Sequence, residues 1–117
     1  MQLSMFKDSE KALAFPAGTT IFCEGDAPNG TMYVVVAGEV DIYVHGRLID
    51  TVGIGSCLGE VGLVDNRPRT ATVIARGDVR LEPIDQRRFQ FLVHQTPYFA
   101  LEIMQIMDER LRAQREA

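Results

Sequence analysis

Met32-Tyr33-Val34-Val35-Val36-Ala37-Gly38-Glu39-Val40-Asp41-Ile42-Tyr43-Val44-His45-Gly46 is the stretch whose reading decides the fold. Met32–Ala37 is an unbroken apolar run with three successive valines, the pattern of a strand buried on both faces. Gly38 breaks it. Glu39–Val44 then alternates polar and apolar with period two, so one face of that strand is buried and the other is not. His45-Gly46 is a two-residue hairpin loop, and Arg47–Val52 is the returning strand.

The same rhythm extends in both directions. All ten glycines except Gly77 fall between residues 18 and 62, at a pace that marks tight turns between short strands. Thr19–Cys23 is a short strand rich in β-branched residues. After residue 68 the pattern resumes as Arg69–Ala75 and Arg80–Ile84, joined by a turn at Gly77-Asp78. Seven or so short strands with frequent turn signals predict a sandwich or a barrel.

The tail changes period. Phe89, Leu92 and Val93 fall at i, i+3 and i+4, which predicts a helix from Gln86 to His94. Thr96-Pro97 starts another, with Thr as N-cap and Pro at the first helical position. Ala100, Ile103, Met104, Met107 and Leu111 form one apolar stripe along it, which Phe99 and Ile106 widen. Two readings of that width stand: a helix packed deeply on the barrel, or a second apolar face for a ligand lid or a partner subunit. Arg110, Arg112, Arg115 and Glu116 read as a solvated helix end. Residues 1–117 form one domain in this reading, with the β part over about 12–86 and the helices over about 86–115.

Composition narrows the function. The 117 residues carry a net charge of −4, with 12 basic against 16 acidic side chains, which argues against the basic face that nucleic acid or an anionic membrane requires. No apolar run approaches the roughly 20 residues of a spanning helix. Lys7, Asp8, Glu10 and Lys11 stand where a secretion signal would place its apolar stretch, so a cytoplasmic protein is expected. Cys23 and Cys57 are expected to be reduced core thiols. His45 and His94 are too far apart for a metal site, and no nucleophile–base pairing is visible, so neither a metal nor an enzyme is expected.

The chemistry concentrates in Gly59-Glu60-Val61-Gly62-Leu63-Val64-Asp65-Asn66-Arg67-Pro68-Arg69-Thr70-Ala71-Thr72-Val73. Its glycines permit close backbone approach. Glu60–Val64 can form one helical turn whose first N–H groups lack intrahelical acceptors. Pro68 drives the chain out of that turn. Arg69 opens a strand, and Thr70 and Ala71 supply backbone donors beside it. Arginine grips phosphate with two parallel hydrogen bonds. A carboxylate next to an anion site makes sense when it accepts from a hydroxyl on the same ligand, and a phosphate joined to a sugar supplies that pair.

Gly59–Ala75 resembles the phosphate-binding cassette of the cyclic nucleotide-binding domain family: a Gly-Glu pair, a short helix, and Arg followed by Ala, Ser or Thr about nine residues after the Glu. Phe15–Asp26 is similar to the first hairpin of that family, Tyr33–Val40 to its next strand pair, and Phe89–Leu111 to the helices that follow. The likeness spans roughly residues 14–112. It implies a double-stranded β-helix, or jelly-roll, barrel, mainly β with C-terminal helices and a short cassette helix. By the same resemblance the ligand is cAMP or cGMP and there is no cofactor. Arg69 would hold the exocyclic phosphate oxygens and Glu60 the ribose 2′-hydroxyl. Backbone donors of Gly59, Glu60, Val61 and Gly62, and of Thr70 and Ala71, would complete the pocket. The Thr70 hydroxyl would reach the phosphate or the exocyclic amine of guanine. Ile42, Val44 and Val52 would line the wall for ribose and base.

The helical element that the family places before its first strand is expected to be short or missing. The final helix reaches Gln114 and Arg115 about where relatives place residues over the base, so by the resemblance that lid is either truncated or supplied by these two. Leu63 and Val64 would couple the cassette to the last helix, making the chain a sensor or regulatory domain. Besides the nucleotide, the expected partner is a second copy through the C-terminal helix or an output protein. The alternatives are the same barrel used as a nucleotide-independent dimerisation or interaction module, or as a sensor of another small anion.

Overall fold

The computed structural model describes residues 4–6, 9–63 and 65–116, with side chains omitted at residue 4 and residues 114–116. Eight strands and two helices follow in order: β1 Leu13–Phe15, β2 Thr20–Phe22, β3 Thr31–Ala37, β4 Val40–Val44, β5 Arg47–Val52, β6 Cys57–Leu58, β7 Thr72–Ala75, β8 Val79–Asp85, α1 Gln86–Gln95 and α2 Tyr98–Glu116. Short 3-10 turns lie at Ser4–Phe6 and Glu60–Leu63.

The strands pair antiparallel into two four-stranded sheets, β1-β8-β3-β6 and β2-β7-β4-β5. This alternation of strands between two facing sheets is the jelly-roll order. β3 is the strand predicted to be buried on both faces, and its alternation shows how. Val35 joins Val40, Leu58, Val73, Val79 and Leu81 between the sheets. Met32, Val34 and Val36 face outward, where Phe99, Ile103 and Ile106 of α2, with Phe6 and Leu63, cover them. Phe99 is fully buried and meets Phe6 and Phe89 edge-on, with ring centroids 5.9 and 5.3 Å apart. Aromatic edge contacts of this kind add roughly 0.5–1.5 kcal/mol to the burial itself.

The β4–β5 hairpin closes as expected. His45 and Gly46 both have positive φ, 51° and 76°, which matches the right-handed twist of the flanking strands. The strained histidine is held by Glu24, which accepts from the His45 backbone N–H at 2.8 Å and lies 3.0 Å from its Nδ1. At the other end of the domain, Asp85 caps α1 by accepting from the Arg88 N–H at 2.8 Å.

Three expectations are corrected. Arg69 does not open a strand; β7 begins at Thr72. The Arg69 N–H and C=O are both taken by the turn at residues 25–26, through Asp26 O and Gly25 N at 2.8 Å each, so Thr70 and Ala71 are left outside the ladder. The buried face of α2 is Phe99, Ile103 and Ile106, whereas Met104 and Leu111 of the predicted stripe are exposed. The helix therefore presents its widened side to the sheet, where a flat β surface accepts large side chains at i, i+4 and i+7.

The third correction concerns the thiols. Both cysteines are free, but only Cys57 is in the core; Cys23 is exposed where β2 runs into the 24–26 turn. Burial, reinforced by the nearby Glu60 carboxylate, pushes the Cys57 thiol up to about 12. Because the thiolate is the reactive form, a thiol reagent at pH 8 is expected to label Cys23 alone in the folded chain and both cysteines after denaturation. Native labelling of both at one rate would contradict this packing.

Candidate functional site

The cassette folds as predicted up to a point. Glu60–Leu63 forms one 3-10 turn, with Gly62 N–H donating to Gly59 O at 3.0 Å. That bond uses the Gly62 donor within the turn. Gly59 has φ +71°, and a Cβ there would lie 2.5 Å from Arg69 Nη1, so only glycine leaves room for the guanidinium.

Arg69 is 7% exposed. Its Nη1 donates to Gly59 O at 3.1 Å, and its Nη2 donates to Asn29 Oδ1 at 2.8 Å and to Thr31 O at 3.0 Å. All three acceptors are neutral, and among the described residues no ion pair includes Arg69. A buried cation ordinarily carries an acidic partner, because desolvation without one costs several kcal/mol. A cationic side chain held in place but left un-neutralised at a cavity wall is the arrangement of an anion receptor.

Glu60 is the complementary feature. Its Oε1 accepts from Arg110 Nη1 at 3.0 Å, while its Oε2 is buried with no hydrogen-bond partner. A buried acceptor left unsatisfied costs roughly 1–3 kcal/mol. A ligand hydroxyl placed there removes that cost. Asp65, on the loop between the two key residues, is held below the ordinary carboxylate range by its hydrogen bond from the Arg67 side chain.

These groups face one cavity of about 860 Å³. All seven predicted site residues line it: Gly59, Glu60, Val61, Gly62, Arg69, Thr70 and Ala71. Ile42 and Val44 line its apolar wall as expected. Val52 does not; it borders a neighbouring cleft with Gly53, Ile54 and Ile106. Val52 pairs with Val40 in the same unbroken register as Ile42 with Asp50 and packs against the inter-sheet core, so it faces inward as expected but lies beyond the stretch of β5 that lines the cavity. Four arginines, at 47, 67, 69 and 110, line the cavity against two carboxylates, Asp50 and Glu60, so it is positive in a chain of net charge −4.

Several residues at the cavity were not predicted. Arg110, expected in a solvated helix end, is half-buried and bonds to Glu60, to Ser56 Oγ at 2.9 Å and to Cys57 O. Its position was accessible: Phe99, Ile103, Ile106 and Arg110 run at spacings of four, three and four along one helix face. Met107 and Leu111 of α2 close the cavity beside it. Phe22 lies under the Arg69 guanidinium, 4.2 Å from ring centroid to Cζ, and no period or motif marks that contact in advance. Leu63 sits in the cluster with Phe99, Ile103 and Ile106, so the cassette and α2 share a core, as expected. Val64 and the side chains of Gln114 and Arg115 lie outside the described part of the structure.

Comparison with known proteins places this geometry. Residues 12–96 match the family model described as cyclic nucleotide-binding domain. A cAMP-dependent protein kinase regulatory subunit from Aspergillus niger is 33% identical over 88 residues, covering 74% of this chain and 21% of that protein. The crystal structure of the Thermus thermophilus catabolite activator protein superposes with a TM-score of 0.75 at 27% identity, over 89% of this chain and 51% of that one. A cyclic nucleotide-binding domain from Methylobacillus flagellatus superposes with a TM-score of 0.78 over 90% of this chain and 64% of that one; at 23% identity it shows the fold alone. The chain spans about a fifth of the kinase subunit and about half of the activator protein. Among the described residues no helix is long and apolar enough to cross a membrane.

Proposed function

The chain belongs to the cyclic nucleotide-binding domain family, and we propose that it is a cAMP or cGMP receptor module, a binding and regulatory domain rather than an enzyme. The observation that carries this reading is the pairing, in one cavity, of a buried arginine and a buried carboxylate oxygen that, among the described residues, have respectively no acidic partner and no donor. The cyclic phosphate takes the Arg69 N–H groups left over from its three protein acceptors. The ribose 2′-hydroxyl donates to Glu60 Oε2. Ile42, Val44, Met107 and Leu111 cover the apolar faces of sugar and base. Thr70, exposed at the same wall, supplies a hydroxyl for the phosphate or for the amine of guanine.

Two links carry occupancy to α2. One is polar, from Glu60 to Arg110. The other is apolar, from Leu63 to Phe99, Ile103 and Ile106. The helix shifts only as far as the ligand's differential affinity for the two arrangements allows. The similarity to a kinase regulatory subunit and to an activator protein supports an output of this type, with cytoplasmic action and an as yet unidentified reader of α2. A second copy is one such reader, since Tyr98, Leu101, Met104 and Leu111 stand exposed along α2. Sedimentation with and without nucleotide separates a ligand-responsive dimer from a nucleotide-independent interaction module.

Thermal unfolding with cAMP, cGMP and 5′-AMP tests the receptor reading. A ligand at about 100 times its Kd stabilises by about 2.7 kcal/mol, on the order of 10–15 °C for a domain of this size. A shift of that size with a cyclic nucleotide and none with 5′-AMP is expected. No shift with any of the three would leave the fold intact and remove the receptor reading in favour of another anion or an interaction role.

A further inference from the structure

Arg69 is positioned without being neutralised, and the residue that makes this possible is an aromatic one. Its three hydrogen bonds go to two backbone carbonyls and one amide. A further contact is the Phe22 ring, 4.2 Å beneath the guanidinium carbon. Phe22 stacks in turn on Tyr33, with centroids 6.5 Å apart and planes 28° from parallel. Tyr33 is tied to the same network, since its hydroxyl accepts from Asn29 Nδ2 at 3.4 Å while Asn29 Oδ1 accepts from Arg69. The glycine backbone closes the slot: a Cβ on Gly59 would lie 3.4 Å from Phe22 Cε2 as well as 2.5 Å from Nη1.

An aromatic face does something here that a carboxylate cannot. It attracts the cation through its quadrupole and fixes the guanidinium plane, yet it uses no N–H donor and cancels no charge. Among the described residues no acceptor takes Nε–H or the second Nη1–H of this cavity-lining side chain. A carboxylate in the same place would orient the arginine equally well but would compete with an incoming anion for both its charge and its donors.

We propose that Phe22 is a positioning residue of the anion site, stacking under Arg69 to hold its guanidinium plane toward the ligand phosphate while leaving it fully charged. This inference rests on the receptor reading above and deepens it. Because the phosphate is common to both nucleotides, Phe22 acts on cAMP and cGMP alike and has no part in choosing the base.

Calorimetric titration of the wild-type chain, Phe22→Leu and Phe22→Tyr with cAMP and cGMP tests it, each also in an Arg69→Lys background. Phe22→Leu is expected to weaken both nucleotides by the same factor, between about threefold and thirtyfold. Phe22→Tyr, which keeps the ring, is expected to stay within about twofold of wild type. In the Arg69→Lys background, where no planar group remains to stack, the Leu substitution is expected to have little further effect. A purely structural role would survive that change of background, so persistence of the full Leu effect there would overturn the proposal. Equal losses in Leu and Tyr variants, or a Leu variant within twofold of wild type, would also overturn it. A wild-type chain that binds neither nucleotide would instead sink the receptor reading itself, and this inference with it.

Discussion

Arg69→Ala is expected to weaken binding of the cognate cyclic nucleotide at least tenfold, the largest binding effect of any single substitution in the site. A charge-assisted hydrogen bond contributes about 1.5–3 kcal/mol net, and one such bond lost already gives about tenfold. The arginine is buried, aimed at the cavity and un-neutralised, so its contribution is not shared with a competing carboxylate. Removing it also strands three acceptors, Gly59 O, Asn29 Oδ1 and Thr31 O. Calorimetric titration measures the loss, and unliganded Tm measured alongside separates it from unfolding. A variant within threefold of wild type would show that Arg69 does not hold the phosphate. Loss of binding to an unrelated anion, with no competition by cyclic nucleotides, would instead identify the site as a sensor of that other anion.

The second large effect falls on stability. Gly38→Ala is expected to lower the unfolding midpoint by on the order of 10–20 °C. Gly38 joins β3 to β4 with φ +81°, and a Cβ would lie 2.4 Å from Asp78 O, 2.9 Å from Val79 Cγ1 and 3.1 Å from Val79 Cα. Two of those three atoms are backbone, so neither can swing aside. A left-handed L-residue costs roughly 1–2 kcal/mol, and forcing extra volume into a packed contact costs roughly 1–3 more. The total of about 2–5 kcal/mol converts to the quoted shift at about 4 °C per kcal/mol for a domain of this size. Gly18→Ala is the matched control. Its φ is +84° but nothing lies within 4 Å, so the strain acts without the clash. Equal midpoints for the two variants would mean that the approach of the 38 turn to the 78–79 turn does not matter to the fold.

Local pattern made most of the barrel legible. Period-two alternation at Val40–Val44, the double-sided apolar run at Met32–Ala37 and the glycine spacing are properties of neighbouring residues, and each produced a strand or turn near its expected place. The cassette was legible for the same reason, since Glu60 and Arg69 lie on one short segment whose glycines and proline constrain its path. Arg69 was nevertheless misplaced by one structural context. Its own backbone bonds reach across to Gly25 and Asp26, more than forty residues away, and nothing local signals that capture. The Val52 expectation failed in distance and not in facing: alternation gives the side of the strand, and Val52 does face the inter-sheet core, but which length of β5 borders the cavity is set by the elements packed around it.

Order along the chain was enough for the class of fold, the succession of short strands and closing helices, and the segment that lines the cavity with Glu60 and Arg69. These follow from steric and periodic constraints acting over a few residues. The tertiary structure alone decided which face of α2 is buried, which turned Arg110 from a surface charge into the partner of Glu60. It also decided that Phe22, from the second strand, lies beneath an arginine 47 positions later. Above all it left Arg69 with neutral acceptors and Glu60 Oε2, among the described residues, with no donor. Whether a buried charge is neutralised depends on which side chains the packing brings within a few ångströms of it, and that is a property of three-dimensional neighbours, not of order along the chain.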